Sequence, residues 1–131
     1  EYKVGCPPSG PLACLLFCMP TAPASQPKTV IISHAIAVLS ALCAVAVHDF
    51  IPVLDVPKPV VGLVLSILAM KLAKAINPPA AAYAAALSGS GTTFGAVLTG
   101  PGTLGAVVLI VVQQVYFKIT DALSGTKAKK A

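Results

Sequence analysis

The sequence predicts an all-α integral membrane bundle with four membrane crossings and a short N-terminal half-helix, and three observations carry that expectation. Of 131 residues, 56% are hydrophobic and 10% charged, and the mean hydropathy is +0.89. A soluble domain carries about 25% charged residues. The apolar residues fall in long runs matched to a bilayer core, which takes roughly 20 helical residues at ~1.5 Å each. The lysines stand at the ends of these runs rather than on one face. A net charge of +5, from nine Lys and no Arg against four acidic residues, therefore serves orientation in the membrane. It argues against nucleic-acid binding, and no separate soluble domain fits in the remaining chain.

Residues 1–28 hold six of the twelve prolines, each of which fixes φ and removes a donor, so no long helix runs through them. Between these prolines, residues 12–19 form an apolar run less than half the length of a crossing. It reads as a half-helix or interfacial segment buried against the bundle, where its backbone groups find partners. It lacks the charged n-region, h-region and cleavage site of a signal peptide.

Residues 29–47 carry no acid, Lys, Pro or Gly and match one crossing in length. His48, Asp49 and Pro52 end it, and Asp55, Pro57, Lys58 and Pro59 form an external turn. Residues 60–76 make the second crossing, with Lys71 and Lys74 in its last turns, where amines snorkel and favour the negative end of the helix dipole. Asn77, Pro78 and Pro79 stop it. Of the 23 residues from 80 to 102, 17 are Ala, Gly, Ser or Thr, compatible with a re-entrant loop or with a closely packed helix. The positive-inside rule separates the two readings. Lys28, Lys71 and Lys74 share a face with Lys118, Lys127, Lys129 and Lys130 only if residues 80–99 cross. Gly91 and Gly95, with Ala84, Ser88, Thr92 and Ala96, put a small residue at every fourth position, the pattern that lets membrane helices approach. Residues 103–119 make the fourth crossing, and 120–131 a Lys-rich tail.

Few residues can carry chemistry. His34, one turn into the first crossing, is an ionisable group at membrane depth and by default a functional candidate; its bland alternative is a neutral ring donating to a neighbouring carbonyl. His48, beside Asp49, suits an interfacial hydrogen bond or ion pair. Cys6, Cys14, Cys18 and Cys43 contain no C-x-x-C pair, fit a four-ligand zinc site only loosely, and are expected to be buried thiols. With no paired carboxylates and no Ser/His/Asp set, the sequence predicts a protein that is not an enzyme. The Asn77-Pro78-Pro79 break suggests a polar pocket at membrane depth with free N–H groups at the start of the next helix, which favour anions. Tyr83, Ser88, Ser90, Thr92 and Thr93 are placed to line such a path. The alternative is a tight turn with both prolines in the first turn of the following helix.

The order of elements, GPLACLLFCMPTAPASQPKTVIISH from Gly10 to His34, an apolar hairpin, then LAKAINPPAAAYAAAL from Leu72 to Leu87, resembles the HPP family of integral membrane proteins. That family is characterised by a His-Pro-Pro motif and by a Gln-Pro-basic segment leading to a Gly-His pair. By resemblance Gln26, Pro27, Lys28, His34, Pro78 and Pro79 occupy motif positions, while Asn77 stands for the motif His, Lys28 for an Arg and Ser33 for a Gly. The likeness covers roughly the whole chain; a first membrane helix that the family normally has is missing, and together with Asn77 in place of the His the resemblance implies a degenerate relative. Members are associated with nitrite movement across plastid or cell membranes.

Two functions are expected. In the first, the chain is a non-catalytic subunit of a larger membrane complex, an algal photosystem in a thylakoid or plastid envelope. There His34 or His48 would ligate chlorophyll, with carotenoid as a further pigment, and the helices would pack on other subunits and lipid. In the second, it is an HPP-type small-anion transporter or channel, a homo-oligomer, with Gln26, Lys28, Asn77, Pro78, Pro79, Tyr83 and Ser88 along the substrate path. Neither involves nucleic acid.

Overall fold

The computed structural model describes residues 9–50, 56–90 and 101–128, with side chains through 123. These form five α-helices with one 3₁₀ turn and, among the described residues, no strand: α1 (Ser9–Cys18), the 3₁₀ turn (Pro23–Ser25), α2 (Pro27–Phe50), α3 (Lys58–Leu72), α4 (Pro78–Gly89) and α5 (Pro101–Ala128).

Each helix has a proline in its first turn, Pro11 in α1, Pro27 in α2, Pro59 in α3, Pro78 and Pro79 in α4 and Pro101 in α5, where the missing N–H costs little. Pro27 opens α2 two residues before the expected start, and the helix continues through His48 to Phe50. α3 begins at Lys58 and ends at Leu72, four residues before the expected end. The reason is a Schellman cap. Lys74 takes a left-handed φ of 54°, its N–H bonds to Lys71 O at 3.2 Å, and the Ala75 N–H bonds to Met70 O at 2.9 Å. Ala75 and Met70 are both buried, which supplies the apolar contact of that motif. α5 does not stop at Ile119. It runs on to Ala128, through most of the segment expected as a tail.

α2, α3 and α4 make the first layer. Ala37, Val38 and Ala41 of α2 meet Met70 of α3 and Ala80, Ala81, Tyr83, Ala84 and Leu87 of α4. Alanine dominates because it lets backbones approach, so contact area replaces side-chain bulk. α3 and α4 run antiparallel: Gly62 lies against Ser88, and Gly89 against Pro59. The second layer is α1 with α5, where Leu12 and Leu16 pack on Ala106 and Ile110 around Val30 of α2. α5 is antiparallel to α2. Thr103 lies beside Tyr83 at the depth of His34, Ala106 and Ile110 reach Val30, and Gln113 reaches α1.

These directions gather charge at the ends. Asn77, after α3, meets Ala24, before α2, so Lys28, Lys71 and Lys74 share one end. Lys118, five residues beyond Gln113, continues toward it. Lys58 pairs with Asp49 at the opposite end, Nζ to Oδ1 3.1 Å.

Two described helices are long and apolar enough to cross a membrane, Pro27–Phe50 and the Gly102–Leu123 part of α5. At ~1.5 Å per residue, α3 (15 residues) is about 22 Å long and α4 (12 residues) about 18 Å, both short of a ~30 Å hydrocarbon core. Four crossings are thus more than helix length alone supports. The expected third crossing, 80–99, is helical to Gly89; Gly91, Thr92, Thr93, Gly95 and Ala96 lie outside the described residues.

Candidate functional site

Among the described residues, two groups of polar side chains stand where helices meet, one around buried His34 and one around buried Asn77. The first joins α2, α4 and α5. His34 is 5% exposed, and its Nδ1 lies 2.8 Å from Val30 O, one turn back in α2. A carbonyl only accepts, so Nδ1 carries the proton and, in the neutral ring, Nε2 is the acceptor. The Tyr83 ring stands 5.9 Å from the His34 ring, and Tyr83 Oη lies 3.1 Å from Thr103 Oγ1. Gly102 makes this meeting possible: a Cβ there would collide with the Tyr83 ring. His34 and Thr103 also line a groove of about 380 Å³ between α2 and α5, whose other walls are apolar, among them Val30, Val38 and Ala106.

The second group is the Asn-Pro-Pro break. Asn77 is fully buried; its Nδ2 donates to Ala24 O at 3.5 Å, and its Oδ1 has no partner. It lines an apolar pocket of about 280 Å³ with Met70, Ile76, Pro78 and Ala81. The expected free N–H groups are not there. Pro78 and Pro79 have none, and the N–H groups of Ala80 and Ala81 both bond to Asn77 O, at 3.1 and 3.2 Å. The first turn of α4 thus offers no donor to an anion, and its prolines occupy N1 and N2 as in a tight turn.

The other expected path residues do not converge on one point. Gln26 and Lys28 are exposed at the start of α2, with Gln26 Nε2 donating to Pro20 O at 3.3 Å. Pro78 is exposed and Pro79 buried. Ser88 is buried, with its hydroxyl 2.8 Å from Ala84 O, as Ser33 and Ser66 also bond to carbonyls of their own helices. His48 lies at the far end, half-exposed, 4.0 Å from Asp49 Oδ1. That exposed cluster contributes at most about 1 kcal/mol. Cys14, Cys18 and Cys43 are exposed, not buried as expected, because each falls on the outer face of its helix; Cys6 lies outside the described residues. No group of three or more His, Cys, Asp or Glu is gathered among the described residues.

Sequence reading missed Gln113 and Ser25. Gln113 is 3% exposed, and its Nε2 donates to Leu16 O at 2.8 Å while Oε1 has no partner. The Ser25 hydroxyl is within 3.0 Å of the carbonyls of Met19, Pro20 and Ala22, closing the turn between α1 and α2. A glutamine within the apolar run 103–119 was the available signal for the first. Nothing in the run of small residues singled out the second.

Residues 1–124 match the family described as HPP, transmembrane region. No curated protein and no solved structure matches the chain.

Proposed function

Because the chain belongs to the HPP transmembrane family, we propose that it is a small membrane transporter or channel that moves a nitrite-like anion together with a proton. The observation that carries this reading is the character of the open polar atoms. Among the described residues, the buried side-chain atoms without a partner are Asn77 Oδ1 and Gln113 Oε1, both acceptors, and neutral His34 adds Nε2. A bare anion brings only lone pairs to such atoms. A weak acid carrying its proton matches them, and once that proton passes to His34 Nε2 the ring becomes a donor to the anion left behind.

In this reading all four helices α2 to α5 pass through the bilayer in alternating directions. The antiparallel pairings and the shared end of Lys28, Lys71 and Lys74 support it. The short α3 and α4 are accommodated by local thinning and by snorkelling of flanking side chains. Lys28 and Gln26 stand at the positive end, where they would draw an anion toward the groove. The Tyr83 ring from α4 is the titratable group against His34, and Thr103 is the contribution of α5. The photosynthetic-subunit reading has no such support: nothing in the fold or the family match points to a pigment, a plastid or a foreign subunit.

The test is nitrite entry into proteoliposomes that report internal pH, against protein-free vesicles that measure leakage of the free acid. Proton-accompanied movement acidifies the interior faster than leakage, does not respond to an imposed potassium diffusion potential, and is lost in His34→Leu. Flux no greater than leakage would refute transport. Flux that follows the potential would refute the proton and leave transport standing.

A further inference from the structure

α1 is amphipathic in an unusual sense. Leu12 and Leu16 are buried against α5, and the opposite face exposes Cys14 and Cys18. These are one turn apart on one helix, and Met19, half-exposed, follows directly with a helical bond from its N–H to Leu15 O at 3.2 Å. Three soft sulfur donors thus sit within six residues, on a segment fixed to the bundle by Gln113.

We propose that Cys14 and Cys18 form a two-thiolate site for a soft monovalent cation, cuprous copper, with Met19 as an available third ligand. Geometry excludes the obvious alternative. Residues four apart on a helix hold their Cβ atoms about 5–6 Å apart, whereas a disulfide needs about 3.5–4.5 Å, so the pair cannot close without unwinding α1. Two metal–sulfur bonds of ~2.3 Å place the sulfurs up to ~4.6 Å apart, a span that side chains on this spacing reach by χ1 rotation alone. Two thiolates fall short of the four ligands that zinc takes, while thiolate and thioether donors select Cu(I). Binding displaces two protons, Cu⁺ + 2 RSH giving a bis-thiolate complex and 2 H⁺, and tightens as pH rises. This inference is independent of the transport reading.

The experiment uses the full chain in detergent micelles with Cys6→Ser and Cys43→Ser, titrated anaerobically with Cu(I) against bicinchoninate. One equivalent per chain is expected to be withdrawn from the competitor. A further Cys14→Ser or Cys18→Ser should weaken binding at least 100-fold without altering the helical circular dichroism, since both positions are exposed. Zn²⁺ at equal concentration should not displace the copper. Equal binding by the chain lacking all four thiols, or one copper per two chains, would overturn the site.

Discussion

The Gln113 amide donates to Leu16 O at 2.8 Å, joining positions 97 apart in the chain. It is a point of attachment for α1, a helix of ten residues that cannot span the bilayer and whose Leu16 carbonyl has no helical donor, because position 20 is a proline. The Asn77 Nδ2 makes the equivalent bond to Ala24 O, 53 positions away. Both amides spend their donor on the segment before α2 and keep their oxygen open.

Replacing Gln113 with Leu keeps the volume and removes the donor, leaving Leu16 O buried and unpaired. Such a loss costs about 1–3 kcal/mol. Thermal unfolding in detergent should shift down accordingly, and limited proteolysis should cut between residues 19 and 26 earlier than in the parent. An unchanged cleavage pattern would mean that α1 is held by Leu12 and Leu16 alone.

Gly102→Ala places a methyl into the Tyr83 ring. The ring must leave its position 5.9 Å from His34, or α5 must retreat, and overpacking of this kind costs about 1–3 kcal/mol. Tyr83→Ala in the same chain should recover part of that loss, because the collision disappears. Additive losses in the double variant would refute the contact.

At the other end of α4, a Cβ on Gly62 would sit 2.5 Å from Ser88 Oγ and 3.2 Å from Ala84 O. Gly62→Ala is expected to destabilise the α3/α4 pair by about 1–3 kcal/mol. Ser88→Ala should relieve only part of it, since the Ser88 Cβ is still 3.1 Å away. A double-mutant cycle on melting temperature measures the coupling.

Lys74 holds a left-handed φ of 54° where glycine carries no Cβ penalty. Lys74→Gly should therefore stabilise the chain by about 1 kcal/mol, and Lys74→Val should destabilise it, because a β-branched side chain is least tolerated there. A melting temperature lowered by glycine would show that the amine at the positive end outweighs the backbone strain.

The five helices were legible because their signals are local. Uninterrupted apolar runs, prolines at the starts of α2, α3 and α4, and lysines at the ends mark them without reference to any other part of the chain. The end of α3 was misjudged because an apolar Ala75 and Ile76 continue the hydropathy while the backbone has already turned at Lys74. His34 was visible as an ionisable residue in an apolar run, and its bond to Val30 O is the bland arrangement weighed for it. Its neighbour Tyr83 is 49 positions away and Thr103 69, so their meeting was not written in any pattern of spacing.

Composition by itself determined that the chain is helical and belongs in a membrane, since an apolar solvent leaves the backbone no hydrogen-bond partners except its own. Only the tertiary structure decided which polar atoms remain open. A side-chain amide can satisfy its donor or its acceptor with any carbonyl or N–H that a neighbouring helix brings near, and the close approach of α1, α4 and α5 settles that choice at Asn77 and Gln113. The start of α4, by contrast, is closed locally: Pro78 and Pro79 have no N–H, and the Asn77 carbonyl takes those of Ala80 and Ala81.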